Sequence, residues 1–329
     1  YFGCSILGFS APGPPPKKQP QISEIHRGLA SFLEGRKPHH PWRRALVCWF
    51  RAGGKSVWTT QTYPMWRGLY IVDFSTKIIE NSSDNAKVNH FLPIVELFTT
   101  SPRADYLQWL FQHRIPSGFE GWTTEQIKLI QEDPLAHPCL RYIGLESKKE
   151  GAHPNLVVLD DPEGADADKS LAANEEAWRA YQTAIPLLKD PSYSQILISC
   201  TVWGDRPVAW RIRDRENWTS ESDNARTEFK VSWQPITNER GESAWPERFT
   251  KSAIDALAKE DIADQQYWLR RKSEKIRLFD TFMIADISTF HATREDLKLM
   301  ELGEAPCMIA EYAEGAFFYA ALLPLVDEF

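Results

Sequence analysis

The chain has 329 residues, of which 43% are hydrophobic and 25% are charged, and this composition is typical of folded globular proteins. Disordered, collagen-like and coiled-coil proteins are therefore excluded. The formal net charge of −7 excludes a globally basic nucleic-acid-binding protein, although it leaves room for a local basic patch. Five cysteines without a CxxC pair suit a reducing compartment and predict neither a zinc site nor a disulfide framework.

The amino-terminal segment predicts an arm ahead of the first domain. Its apolar start has no preceding basic residues and makes a poor signal peptide, and the missing initiator Met indicates a fragment or a processed chain. Residues 11–20 are proline-rich and predict a stiff linker. Apolar residues recur every three or four positions over residues 22–33, which predicts a short amphipathic helix. We therefore expect residues 1–40 to form an arm, a linker and this helix.

Four continuous apolar runs predict strands that are buried on both faces, at residues 45–50, 69–75, 155–161 and 195–201. Helical patterns lie between them, at residues 86–98 and 171–188. Alternating strands and helices predict an α/β fold with a mainly parallel sheet, which we assign to residues 41–240.

Residues 241–329 have a different pattern and predict an appended subdomain. We expect helices at 252–259, 264–274 and 310–323, with one candidate strand at 282–287. The longest apolar run, residues 316–326, is too short to cross a bilayer, so no transmembrane helix is expected.

The stretch RAGGKS follows the first predicted strand. Two glycines before Lys55 and Ser56 predict a loop whose N–H groups wrap phosphate oxygens, with Lys55 reaching the terminal phosphates and Ser56 holding Mg²⁺. The strict GxxxxGKS/T pattern fails because Trp49 occupies the first glycine position, and an ordinary glycine turn is the alternative. The context favours a nucleotide site. A buried strand precedes the loop, a helix after it reaches a break near Pro64, and a later apolar run ends in Asp160 and Asp161.

Acidic and hydroxyl residues end the third and fourth runs. Asp160 is predicted to bind Mg²⁺ directly or through water. Either Asp161 or Glu163 could orient and deprotonate an attacking water, and chain position favours Asp161. Pro162 before Glu163 also fits a simple helix start. Thr201 fits a γ-phosphate sensor and a strand cap equally well.

Together these motifs resemble the ATPase domain of the large terminase subunit of tailed bacteriophages, the motor that pumps DNA into procapsids. FRAGGKS (50–56) looks like the Walker A variant of that family, in which an Arg follows the strand and the first glycine is often lost. GAHPNLVVLDDPE (151–163) is similar to the Walker B approach, and ILISCTVW (196–203) resembles the coupling motif. WPERF (245–249), followed by a helix and QQY (265–267), resembles a signature after the ATPase core.

The resemblance implies a RecA-like P-loop NTPase core with a small lid subdomain, and ATP and Mg²⁺ as ligands. The candidate catalytic residues are Arg51, Lys55, Asp161, Glu163 and Thr201. The candidate nucleotide-binding residues are Arg51, Ala52, Gly53, Gly54, Lys55, Ser56 and Val57, and the candidate metal ligands are Ser56 and Asp160.

The resemblance also implies partners and a location. Double-stranded DNA would be the moved substrate, and the partners would be a portal protein, a small terminase subunit and further copies of the chain in a ring on the procapsid. The protein would act in the host cytoplasm, transiently at the portal vertex, without a membrane and outside the mature virion. Family members carry a second, RNase H-like nuclease domain, but too few residues follow Asp286 to form one, so we expect no nuclease activity.

Several basic residues are open to more than one interpretation. Arg51 is the candidate arginine finger within the chain, and Arg141, Lys148 and Lys149 precede the Walker B segment, where lysine lacks the bidentate fork of arginine. Two basic clusters could contact DNA phosphates or be ordinary solvated faces: Arg206, Arg211, Arg213 and Arg215, and Arg270, Arg271, Lys272, Lys275 and Arg277. Four histidines without metal-ligand spacing are expected to be surface or packing residues: His39, His40, His90 and His113.

Two other functions fit parts of the pattern. One is another P-loop ATPase such as a helicase-like translocase, although no strand series for a second RecA-like domain follows residue 250. The other is a nucleotide-binding packaging module that does not hydrolyse ATP. Mg²⁺-dependent turnover distinguishes the second from a motor.

Overall fold

The computed structural model describes residues 23–35, 42–133, 136–145, 153–164, 171–190, 192–203, 207–214, 229–270, 308–313 and 316–321. The chain divides into two compact units, Tyr1–Lys272 and Ser273–Phe329. None of the helices within these described ranges is long and apolar enough to cross a membrane.

The helices of the first unit are α1 (Glu24–Glu34), α2 (Tyr63–Tyr70), α3 (Ser83–Ala86), α4 (Leu92–Thr99), α5 (Ala104–Leu110), α6 (Leu171–Ala184), α7 (Val208–Asp214), α8 (Lys251–Leu257) and α9 (Ala263–Gln266). Two π-helical segments precede α2 and α4, at Val57–Thr62 and Lys87–Phe91, and short 3-10 turns lie at Ser117–Phe119 and Ile185–Leu187. Its strands are β1 (Arg44–Trp49), β2 (Thr76–Glu80), β3 (Gln126–Ile127), β4 (Leu140–Gly144), β5 (Leu156–Asp160), β6 (Gln195–Cys200) and β7 (Phe229–Gln234).

The seven strands form one sheet in the order β3-β4-β2-β5-β6-β1-β7. All neighbours pair in parallel except the short β3, which is antiparallel to β4. β6 lies between β1 and β5, so the strand before the RAGGKS loop and the strand that ends at Asp160 are separated by the strand that leads to Thr201. This mainly parallel sheet flanked by helices confirms the predicted α/β fold class.

Both faces of the sheet are covered, which explains why its strands read as continuous apolar runs. Along β1, Ala45, Val47 and Trp49 pack into one core cluster, whereas Leu46 and Cys48 pack into the cluster on the opposite face. A third cluster forms at the carboxyl end of β1, where Phe50 packs with residues of the segment that follows β7.

The predicted helix at residues 22–33 is confirmed as α1. Its buried residues, His26, Leu29, Phe32 and Leu33, lie on one side of the helix. Gly35 ends the helix with a φ of 64°, and its N–H donates to the carbonyl oxygen of Phe32, as in a common glycine cap.

The predicted strands at 45–50, 155–161 and 195–201 are confirmed as β1, β5 and β6, but the strand at 69–75 is wrong. Leu69 and Tyr70 complete α2, and the Arg114 guanidinium donates to the carbonyl oxygens of Gly68 and Ile71 at its end. The strand in this part of the chain is β2, directly after the predicted run. All of its residues are buried but only two are apolar, so it lacks the continuous apolar pattern used for the prediction. Strands β4 and β7 were also not predicted.

The predicted helices at 86–98, 171–188 and 252–259 are confirmed, but the break near Pro64 is wrong. Pro64 is the second residue of α2, directly after a π-helical segment, and the helical backbone continues past it from Lys55 to Tyr70. Pro93 occupies the matching position in α4, after the second π-helical segment. The helix predicted at 264–274 is shorter in the structure, where α9 ends at Gln266. Residues 271–274 of that range lie outside the described residues, and so does the candidate strand at 282–287.

In the second unit the described residues form two strands, β8 (Met308–Ala313) and β9 (Ala316–Ala321), which pair antiparallel. The helix predicted at 310–323 is therefore wrong. The aromatic residues of this segment favour extended structure. In the register, Tyr312 is opposite Phe317 and Ala310 is opposite Tyr319.

Candidate nucleotide site

The loop after β1 has the backbone of a phosphate cradle. Gly53 donates its N–H to the carbonyl oxygen of Phe50 at 3.1 Å, and a Cβ at Gly53 would lie 3.0 Å from that oxygen, so a larger residue would crowd this tight turn. Ala52 and Gly54 have φ values of 62° and 83°. The helix begins at Lys55, which places the predicted nucleotide-binding residues 51–57 in one continuous loop and helix start.

Lys55 is buried and points at the acids of β5. Its Nζ lies 2.8 Å from Asp161 Oδ2, and its side chain is 9% exposed. Burial disfavours the ammonium charge, but Asp161 and Asp160 outweigh this cost and raise the pKa of Lys55. A charged, buried lysine beside the cradle has the properties needed to hold a phosphate group.

Ser56 and Asp160 meet across the gap between the loop and β5. Ser56 Oγ donates to Asp160 Oδ1 at 3.3 Å. A hydroxyl and a carboxylate are hard oxygen ligands, and Mg²⁺ commonly uses one or two carboxylates together with phosphates and water rather than a full protein cage. Within the residues that the structure describes, no group of three His, Cys, Asp or Glu side chains is arranged to hold a metal ion.

Asp161 turns out of the strand and joins the loop to β6. Its φ is 39°, its N–H donates to the carbonyl oxygen of Ser199 at 2.7 Å, and its Oδ1 accepts the N–H of Thr201 at 3.1 Å. The left-handed backbone is strained for a non-glycine residue, and such strain concentrates at functional sites. Thr201 is buried and contacts Asp161 through its backbone N–H.

Glu163 lies apart from this group. It is 2% exposed, and its Oε1 accepts the N–H of Val208 at 2.7 Å and Nδ2 of Asn174 at 3.2 Å. Burial raises the pKa of Glu163 to about 8 against the effect of these two donors. The carboxyl group therefore links the start of α7 to α6.

The candidate arginine fingers differ in position. Arg51 is exposed and donates from Nη1 to Gln266 Oε1 at 3.3 Å. Arg141 is the second residue of β4 and lies three positions before the carboxyl end of that strand at Gly144. Gly144 is the register partner of Glu80, the last residue of β2. Lys148 and Lys149 lie outside the described residues.

The predicted DNA-contacting clusters are only partly described. Arg211 pairs with Glu175 and lies over the Trp178 ring, and the Arg213 guanidinium lies 4.7 Å and 4.4 Å from the ring centroids of Trp210 and Trp233. Arg270 pairs with Asp264 at 3.5 Å. The remaining members lie outside the described residues: Arg206, Arg215, Arg271, Lys272, Lys275 and Arg277. Asp286 lies outside them too.

His90 was expected to be a surface or packing residue, and it is buried against two carboxylates. Its side chain is 3% exposed, and Nε2 lies 2.9 Å from Asp160 Oδ2 and 3.3 Å from Glu80 Oε2. Burial opposes the imidazolium, but the two carboxylates raise the pKa of His90 to about 9. The same pairing holds the pKa of Asp160 low although burial opposes ionisation. No sequence spacing signals this contact, because it joins a helical segment to two strand ends. His113 is exposed, and His39 and His40 lie outside the described residues.

His26 was missed as well. Its Nε2 lies 3.0 Å from the carbonyl oxygen of Gly53, and Ser23 donates its N–H to Nδ1 at 3.3 Å. Burial lowers the pKa of His26, so the neutral ring with the proton on Nε2 satisfies both contacts. The ring packs edge-on against Trp245 with centroids 4.5 Å apart. The WPERF segment thus supports, through α1, the RAGGKS loop of residues 51–56, which is the candidate phosphate loop.

Comparison with known proteins gives similarity in structure only. No protein-family model matches the sequence, and no curated protein sequence matches it. The chain is similar in structure to the large terminase of bacteriophage HK97, with 14% identity, 92% of this chain and 52% of that chain covered, and a TM-score of 0.42.

Two further solved structures are similar. The large terminase of a thermophilic bacteriophage, in complex with ADP, has 10% identity, coverage of 75% of this chain and 53% of that chain, and a TM-score of 0.44. The large terminase ATPase domain of Thermus phage P74-26 has 17% identity, coverage of 76% and 98%, and a TM-score of 0.39. The chain spans about half the length of the HK97 terminase and of the terminase solved with ADP.

Proposed function

We propose that this chain is the ATP-hydrolysing motor domain of a large terminase subunit of a tailed bacteriophage, and that it moves double-stranded DNA into procapsids. The observation that carries the proposal is the meeting of Lys55, Asp161 and Thr201 at the carboxyl ends of β1, β5 and β6. Ligands of open parallel sheets bind at this edge. The ordered motifs that resemble terminases supply the particular family.

ATP would bind with its phosphates in the loop of residues 51–57. Lys55 would hold the terminal phosphates, and Ser56 and Asp160 are the residues that would hold Mg²⁺. When bound, Mg²⁺ would neutralise charge on the β- and γ-phosphate oxygens. In the structure Lys55 pairs with Asp161, so a phosphate that draws Lys55 away frees the Asp161 carboxylate.

The freed Asp161 would act as the general base. It would accept a proton from the water that attacks the γ-phosphorus, while the bond from that phosphorus to the leaving ADP oxygen breaks. Thr201 would report the state of the phosphate, and its N–H contact with Asp161 supports this role. Arg51, Arg141, Lys148 and Lys149 remain the candidates for a finger that stabilises charge on the transferring group.

The wider role follows from the proposed family. The partners would be a portal protein, a small terminase subunit and other copies of the chain in a ring, and the site of action would be the portal vertex in the host cytoplasm. Ring assembly predicts that turnover rises with protein concentration.

The experiment that tests the proposal is phosphate release from Mg-ATP by the wild type and Lys55→Ala, with and without double-stranded DNA, at rising protein concentration. Exposed Lys259→Ala serves as the matched control. We expect turnover in the wild type and control and a loss of at least about 100-fold in Lys55→Ala. ATP binding without turnover would identify a non-hydrolysing module, and absence of binding as well would overturn the P-loop assignment.

A further inference from the structure

Strands β2 and β5 end on two carboxylates that lie side by side. Glu80 and Asp160 are register partners in adjacent parallel strands, and they are 6% and 1% exposed. Two buried like charges on neighbouring strands repel each other, since little water screens them. A polar hydrogen placed between the two carboxyl groups would contact both of them.

The His90 side chain occupies that position. Its Nε2 lies within ion-pair distance of one oxygen of each carboxylate, 2.9 Å from Asp160 and 3.3 Å from Glu80. The ring is almost fully buried, so it serves no surface role.

A chain of side-chain contacts fixes the backbone that carries His90. Gln61, in the π-helical segment after the phosphate loop, donates from Nε2 to the carbonyl oxygen of Asn89 at 2.8 Å. Asn89 in turn donates from Nδ2 to Glu80 Oε1 at 3.3 Å. The wider π-helical turns at both places are features that recur at functional sites.

The two oxygens of Asp160 thus have separate partners. Oδ2 faces His90, and Oδ1 accepts the Ser56 hydroxyl at 3.3 Å. Because the two oxygens of a carboxylate are equivalent, these two contacts fix the plane of the Asp160 carboxylate and keep one of its oxygens directed at Ser56.

We infer that His90 is a positioning residue that holds the Asp160 carboxylate in the orientation required to bind a divalent cation with a nucleoside diphosphate or triphosphate. The inference rests on the proposed function, because it assigns Ser56 and Asp160 to that cation. Glu80 and Asn89 hold His90 in place and do not contact the ligand. Groups that orient a metal ligand commonly change metal affinity when removed.

The test is binding of a fluorescent ADP analogue to the purified chain, once with Mg²⁺ and once with EDTA. The readout is the dissociation constant in EDTA divided by the dissociation constant in Mg²⁺, so a large ratio means that Mg²⁺ strengthens binding. For His90→Phe we expect this ratio to fall by about tenfold with an unchanged affinity in EDTA, whereas His90→Gln keeps an N–H donor and stays within about threefold of wild type. Exposed His113→Phe is the control for loss of a histidine. A structural role alone would weaken both affinities equally.

Two outcomes overturn the inference in different ways. Wild-type nucleotide binding together with an unchanged ratio in His90→Phe would overturn it and leave the proposed function standing. No nucleotide binding by the wild type would overturn the proposed function and this inference with it. If His90→Phe alone does not fold, the double variant Glu80→Gln/His90→Phe removes the charge repulsion while leaving Asp160 without its partner, and the same fall in the ratio is expected.

Discussion

Arg51 and Gln266 are joined twice. The Arg51 N–H donates to the Gln266 carbonyl oxygen at 2.8 Å, and the Arg51 guanidinium donates to Gln266 Oε1 at 3.3 Å. Gln266 is 1% exposed, and its Nε2 donates to the carbonyl oxygen of Val202 at 3.1 Å. One side chain from α9 therefore connects the start of the phosphate loop to the residue after Thr201.

Gln266→Ala should weaken both stability and turnover. Loss of the side chain leaves the buried Val202 carbonyl oxygen without this donor, which costs about 1–3 kcal/mol in the free energy of unfolding. Because the loop and the end of β6 lose their link, ATP turnover should fall by roughly tenfold. Urea unfolding and phosphate release measure the two effects, with Lys259→Ala as control. Unchanged turnover in a destabilised Gln266→Ala would show that the link is structural only.

Asp161→Asn and Glu163→Gln separate the two candidate bases. Asp161 contacts Lys55 and Thr201, whereas Glu163 is occupied by Val208 and Asn174. We expect Asp161→Asn to lower turnover by about 100-fold or more while nucleotide binding persists, and Glu163→Gln to stay within about threefold of wild type. Single-turnover hydrolysis and nucleotide binding provide the measurement. The reverse ranking would transfer the role of base to Glu163.

Glu163 should also make stability depend on pH. Its pKa is raised from 4.5 to about 8 in the folded chain, so folding favours the protonated carboxyl. This contribution is fully present below about pH 4.5 and is lost as the pH rises to about 8. Between about pH 5.5 and about pH 7.5, the wild type should lose about 2–3 kcal/mol of unfolding free energy relative to Glu163→Gln.

Urea unfolding of both proteins at the two pH values tests this prediction. Every other titrating group is common to wild type and variant, so the difference between their pH dependences isolates Glu163. Parallel curves would mean that Glu163 is ionised in the folded chain.

Two glycines in helices should respond in opposite directions to alanine. A Cβ at Gly68 would lie 2.0 Å from the buried Cys139 Sγ, whereas a Cβ at Gly28 would meet nothing within 4 Å. We expect Gly68→Ala to cost about 1–3 kcal/mol through overpacking. Gly28→Ala, on the exposed side of α1, should stabilise the chain by about 0.5–1 kcal/mol.

Thermal or urea unfolding compares the two variants. Adding Cys139→Ala to Gly68→Ala removes the clashing sulfur and should restore part of the loss. Equal stability of the two single variants would contradict the packing of α2 against β4.

The regular part of the fold could be read from the sequence. Residues 45–50, 155–161 and 195–201 are apolar on both faces, and this pattern has one simple solution in a sheet covered by helices. The mixed segments could not be assigned in this way. β2 carries Lys77 and Glu80 as buried residues, and its role as a strand depends on its neighbours β4 and β5.

The local chemistry of the site was also set by adjacent residues. Gly53 and Gly54 before Lys55 and Ser56 specify a tight loop, because Gly53 closely approaches the carbonyl oxygen of Phe50 and Gly54 has a positive φ. Asp160 and Asp161, at the end of β5, are expected at the same edge of the sheet as this loop, since parallel strands align their carboxyl ends. These features could be predicted without knowledge of the packing.

Only the tertiary structure decided which side chains support that chemistry. His26, His90 and Gln266 reach the phosphate loop or Asp160 from elements far away in the chain, and contacts over such separations leave no spacing pattern. The contacts of Asp161 and of Glu163, which support Asp161 as the proposed base, likewise come from distant elements. Local sequence determines backbone periodicity, whereas the partner of a buried polar group depends on how distant elements pack.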